Sequence, residues 1–128
     1  MALLLDTHAF LWWVEDDQRL SRRARTAISR PDGTCYVSVA SWWEMAVKIS
    51  LGRLKVAASL DRFMAEQMGA NGFHPLPLQL PHVARVAVLP FHHRDPFDRM
   101  LAAQALVEGL SLVSSDPVFR GYGVKRIW

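Results

Sequence analysis

Ala2-Leu3-Leu4-Leu5-Asp6-Thr7 is an unbroken apolar run that ends on a single carboxylate. Such a run suits a short strand buried on both faces, the kind a parallel sheet uses. Leu110-Ser111-Leu112-Val113-Ser114-Ser115-Asp116 repeats the arrangement a hundred residues later. Two further acids, Glu44 and Asp98, sit near the starts of expected helices. In a parallel α/β fold, strand ends and helix starts share one edge of the sheet, where ligands bind. Four acids gathered there repel one another unless a cation joins them, so the pattern points to a divalent-metal site.

The intervening sequence supports that architecture. Helical segments are expected around Ala9–Val14, from Ser21 to Ser29, from Ser38 or Ser41 to Gly52, from Ser59 toward Met68, over Leu80–Leu89, and from Pro96 to Val107. Cys35–Val37 reads as a second strand, Phe73–Leu78 as an edge strand broken by Pro75 and Pro77, and Val124–Ile127 as a last one. Strand and helix alternate without repeats or linkers. The expectation is one domain spanning residues 1–128, a three-layer α/β/α fold with a mainly parallel central sheet.

Composition narrows the function classes. Hydrophobic residues make up 51% and charged residues 21%, ordinary for a globular domain. No apolar run approaches the roughly 20 residues of a membrane span, and the start lacks the pattern of a signal peptide. The single Cys35 cannot form an internal disulfide, and no Cys/His spacing suits zinc. A cytoplasmic location is the simplest expectation. The net charge is +3, with Arg outnumbering Lys 12 to 3. Guanidinium forks match phosphate oxygens, so an acidic pocket in a basic surround suits a metal nuclease.

Each acid also has a structural explanation. Asp6 is a good helix N-cap. Ser41-x-x-Glu44 matches a capping box, although a helix opened by Ser38 leaves Glu44 in the second turn, free to reach inward. Asp95 caps and Pro96 takes the first helical position, while Asp98 shares a helical face with the small Ala102 and Ala105. Asp116 before Pro117 is a turn opener or a further ligand. Thr7 and Ser115 are candidates to orient ligands or contact phosphate, and Arg94 and Arg99 are candidate phosphate contacts. His92-His93 could contact phosphate or bind metal, but adjacent side chains on a loop rarely converge, and a polar loop is the favoured reading. The pairs Trp12-Trp13 and Trp42-Trp43 cannot each bury both rings on one helix face. Trp13 and Trp43 are therefore candidates for a partner surface or stacking platform.

No serine-hydrolase elbow or phosphate-binding Gly loop is present. An aspartyl phosphatase needs a second Asp where His8 stands.

The order Asp6-Thr7-His8, Ser41-Trp42-Trp43-Glu44, His93-Arg94-Asp95-Pro96-Phe97-Asp98-Arg99-Met100-Leu101-Ala102-Ala103-Gln104-Ala105 and Ser115-Asp116 resembles the PIN-domain ribonucleases. The likeness covers essentially the whole chain and looks closest to VapC-type toxins of toxin–antitoxin pairs. It implies endonucleolytic RNA cleavage with Mg²⁺ or Mn²⁺, inhibition by a small antitoxin, and a homodimer. By position, Asp6, Glu44 and Asp98 match the family's three core acids, and Asp116 its more variable fourth. A housekeeping RNA-processing nuclease and a non-catalytic binding module on the same fold are the alternative readings.

Overall fold

The computed structural model describes residues 1–128. In chain order the elements are β1 (Ala2–Leu5), α1 (Thr7–Val14), α2 (Arg22–Ile28), β2 (Thr34–Ser38), α3 (Val39–Ser50), α4 (Leu60–Asn71), β3 (His74–Leu76), α5 (Leu80–Val88), α6 (Pro96–Glu108) and β4 (Ser111–Val113). A 3-10 segment, Pro117–Tyr122, and β5 (Arg126–Ile127) complete the chain. The strands form one sheet in the order β3-β2-β1-β4-β5, and every pairing is parallel. Leu5 pairs with both Val37 and Val113, so Asp6, Ser38 and Ser114 emerge level with one another at the carboxyl edge.

Side-chain alternation along β1 divides the core. Leu3 and Leu5 pack with Phe10, Met45, Phe63 and Met64 on one face of the sheet, beneath α1 to α4. Leu4 packs with Leu101, Ala102, Leu112 and Phe119 on the other, beneath α6 and the 3-10 segment. All three leucines of β1 are fully buried, each contributing about 2 kcal/mol of apolar burial. The three layers expected from the sequence are present.

Helix starts follow the caps. Asp6 Oδ1 accepts from Ala9 N–H, Ser21 Oγ from Ala24 N–H and Ser38 Oγ from Ala40 N–H. Ser38, not Ser41, opens α3; Ser41 is buried inside the helix. Of the two glycines expected to stop α4, Gly69 and Gly72, the second does so, and the helix runs on to Asn71. Gly72, at φ 64°, supplies the left-handed C-cap. Gly69 lacks that conformation and is carried as an ordinary, mildly unfavourable helical residue. The 3-10 segment is absent from the sequence reading, which took residues after Asp116 as turn. No helix is long and apolar enough to cross a membrane.

Candidate active site

A cleft of about 360 Å³ opens at the carboxyl edge of the sheet, lined by Asp6, Thr7, His8, Glu44, Lys48, Asp95, Asp98, Ser115, Asp116, Pro117 and Phe119. All four acids singled out from the sequence reach it. Each arrives by a different local device.

Asp6 leaves β1 and turns into α1 as its cap, so capping and cleft positions coincide. Its backbone N–H donates to Val113 O at 3.0 Å, which fixes it to the neighbouring strand. Glu44 projects inward from the second turn of α3 and is buried. Its Oε1 accepts from the Thr7 hydroxyl at 2.7 Å and its Oε2 faces Lys48 Nζ at 2.8 Å. Asp98 stands in the first turn of α6, where Asp95 caps through Oδ1 to Phe97 N–H at 2.8 Å. Ala102 and Ala105 beneath it are buried, allowing α6 to approach the sheet closely. Asp116 follows β4 and caps the 3-10 segment through Val118 N–H at 3.0 Å.

The electrostatics follow from crowding. Burial raises the Asp6 carboxyl and Glu44 adds to the rise, against hydrogen bonds from Ser114 and Ala9 and the charge of His8. Burial, then the charge of Asp95, pushes Asp98 up to about 7. Glu44 and Asp6 contribute further and His93 opposes. Oxygen donors crowded until one resists ionisation fit a hard divalent cation better than zinc.

Several sequence expectations change on contact with the structure. Arg99 does not face the cleft. Its guanidinium is buried and donates to the carbonyls of Pro90, Val86 and Leu89, while stacking over Phe91 at 4.3 Å. Just past α5 the carbonyls of Leu89 and Pro90 have no backbone donor and Arg99 supplies one to each, adding a second to Val86 O, which already accepts from Leu89 N–H. Thr7 is buried and its hydroxyl proton is committed to Glu44, so it orients an acid rather than contacting phosphate. Ser115 is exposed on the rim of the cleft. Arg94 is exposed, outside the cleft lining, and forms no ion pair.

The tryptophans divide differently from expectation. Trp13 is half-buried, donates to Asn71 Oδ1 at 2.9 Å and leans on Phe73, so it belongs to the packing of α1 on α4. Trp43 is 60% exposed and meets Phe97 edge-on at 5.0 Å. An apolar groove of about 420 Å³ does exist, but Trp42 lines it, with Leu60, Met64, Ala65, Met68 and Pro75.

Two residues beside the acids carry more than the sequence reading assigns them. Lys48 lies four residues after Glu44, a spacing that pairs charges on a helix and was legible. His93, for which the sequence favours a polar loop over a metal or phosphate contact, places Nε2 3.1 Å from Asp98 Oδ2 and 3.3 Å from Asp116 Oδ2. The tightest grouping of metal-ligating atom types is therefore His93, Asp98 and Asp116, all within 4.8 Å.

Fold and cleft together define a class: three-layer parallel α/β proteins whose functional cleft lies at the carboxyl edge of the sheet and is walled by acids. Within that class the chain belongs to the PIN domain family, whose sequence profile matches residues 3–125. It is 34% identical over 125 residues to Ribonuclease VapC22 of Mycobacterium tuberculosis (strain ATCC 25618 / H37Rv), covering 94% of this chain and 91% of that one. Its fold matches a chain of VapBC2 from Rickettsia felis, solved bound to a DNA fragment from their promoter. The TM-score is 0.72 at 11% identity, with 100% of both chains covered. VapBC-5 from Mycobacterium tuberculosis, a member of the VapBC family of toxin–antitoxin systems, matches at TM-score 0.60 and 18% identity, over 98% of this chain and 97% of that one.

Proposed function

We propose that this protein is a Mg²⁺- or Mn²⁺-dependent endoribonuclease, the toxin of a VapC-type toxin–antitoxin pair. The observation that carries the reading is the convergence of Asp6, Glu44 and Asp98 in one cleft, where burial and then its acidic neighbours push the Asp98 carboxyl up to about 7. The name of the 34%-identical relative supports RNA as the substrate.

Asp6, Glu44 and Asp98 would hold the ion. When bound, a divalent ion supplies a nucleophilic water at neutral pH and offsets charge on the scissile phosphate. The chain's own residues do the rest. Thr7 fixes the rotamer of Glu44, the partly exposed Lys48 pairs with its other oxygen where an ion would displace it, and the caps on α1 and α6 hold Asp6 and Asp98 in place. Ser115 on the rim and Arg94 beyond it are the phosphate contacts in this reading.

The partner is a small antitoxin that lays an apolar segment in the groove beside Trp42, with the exposed Trp43 at its end. The VapBC neighbours support a partner of that kind. A second copy of the chain would cover the exposed Leu80, Val83 and Val88 of α5, giving a homodimer. The site of action is the cytoplasm, where RNA is accessible.

Purified protein titrated with Mg²⁺ and Mn²⁺ against RNA and DNA substrates tests the reading. RNA cleavage that needs either ion and disappears in Asp98→Asn is the expected result. Metal-independent cleavage, or none of RNA under any ion, would overturn it.

A further inference from the structure

His93 is held through its backbone and through both ring nitrogens. Its backbone N–H donates to Tyr122 Oη at 2.8 Å, which anchors the loop before α6. Its Nδ1 accepts the backbone N–H of Asp95 at 3.1 Å. Its Nε2 faces Asp98 Oδ2 and Asp116 Oδ2. A neutral imidazole carries one N–H and one lone pair. The Asp95 N–H takes the lone pair at Nδ1, so Nε2 carries the hydrogen and turns it toward the gap between the two carboxylates. In this arrangement Nε2 has no lone pair to offer a metal.

The two carboxylates are not equivalent. Asp116 has both oxygens engaged, Oδ1 with Val118 N–H and Oδ2 with His93. Asp98 has only Oδ2 on His93. Its Oδ1 receives no hydrogen bond and is free for a ligand.

We propose that His93 is a positioning residue that stands where a second ion would bridge Asp98 and Asp116. The cleft then takes one divalent ion, on Asp6, Glu44 and Asp98, and Asp116 acts on it through His93 instead of as a ligand. The proposal rests on the metal-site reading above and adds the ion count and the role of the fourth acid. An N–H facing two carboxylates relieves their repulsion in part, as a cation would.

Mn²⁺ binding, counted by the loss of free-ion paramagnetic signal and by calorimetry, tests it in the wild-type chain, His93→Ala and His93→Gln. The wild type should bind one ion. His93→Ala should bind that ion roughly 10-fold more weakly, because the polar N–H that steadies Asp98 is gone. It should also gain a second, weaker site between Asp98 and Asp116. His93→Gln, which keeps an N–H donor, should return to one ion. Long-range ¹⁵N spectra of the wild-type ring should show the Nε2–H tautomer both without metal and at saturating Mg²⁺, a readout that does not depend on how the variants fold. Two ions in the wild type, a single ion in His93→Ala, or loss of the Nε2–H on adding Mg²⁺ would each overturn the proposal while leaving a metal nuclease intact. No Mn²⁺ binding in the wild type would remove both readings together.

Discussion

Asp98 carries opposing demands that can be separated by titration. As an acid in the first turn of α6 it complements the helix dipole, yet burial and its acidic neighbours hold its carboxyl near 7, against 3.8 for an unhindered Asp. The folded state thus grips this proton more tightly than the unfolded chain does. Its contribution to stability is fully present below about pH 4 and is lost as pH rises through 7. Asp98→Asn has no such loss. In the metal-free protein the Asn variant should gain on the wild type between pH 4 and 8, ending more stable by on the order of 2 kcal/mol in urea unfolding, after discounting for partial exposure. An Asn variant less stable at pH 8 would show that the dipole contact outweighs crowding. Arg99 gives the reverse case, a charged residue whose role is structural. Arg99→Ala leaves the carbonyls of Leu89 and Pro90 without their donor and takes a second donor from Val86 O, and roughly 2–4 kcal/mol of stability should go with it. Unfolding midpoints of Arg99→Ala and Arg99→Lys, both well below wild type, would bear that out. The sequence could not reveal this role, because which carbonyls lie open beside Arg99 depends on where α5 stops, some ten residues earlier.

At the scale of elements, local signals were readable wherever the deciding contact was also local. Caps at Ser21, Ser38 and Asp95 and the leucines of β1 act within a turn or a strand, and those elements stand close to where the sequence placed them. The His93 ring was not legible. Its significance lies in a meeting between the loop before α6 and the turn after β4, two segments joined only by the fold. The same holds for the groove, since α4 packs against α3 so as to expose Trp42 rather than Trp13 on its wall. Trp13→Ala should therefore lower the melting temperature, with a cost of about 3 kcal/mol from lost packing and the Asn71 bond. Trp43→Ala should leave it nearly unchanged. The direct probe of the groove is Ala65→Arg, because Ala65 is exposed and lines it. Calorimetry with the cognate antitoxin should show at least a tenfold loss for Ala65→Arg, with RNA cleavage retained. Normal antitoxin binding in that variant would place the partner elsewhere.

For the molecule as a whole, charge is distributed against the cleft. The acids gather at one edge while exposed arginines such as Arg94 lie outside it, so RNA affinity should fall with salt. Arg94→Ala should reduce the log–log salt slope by up to about one unit, measured by fluorescence anisotropy with a metal-free, uncleaved RNA. An unchanged slope would mean that this side chain points away from the bound strand. The sheet order has a further outcome that concerns time. β1 is the central strand, hydrogen-bonded on one side to β2 and on the other to β4, which begins at Ser111. A ribosome adding about 5–20 residues per second needs roughly 5–20 s to travel from the first of these strands to the last. Throughout that interval Asp6 has been made but Asp98 and Asp116 have not come to meet it. A growing chain is therefore harmless to the very messenger being translated, and the earliest moment at which cutting can begin is also the moment at which a waiting inhibitor can first recognise its finished target.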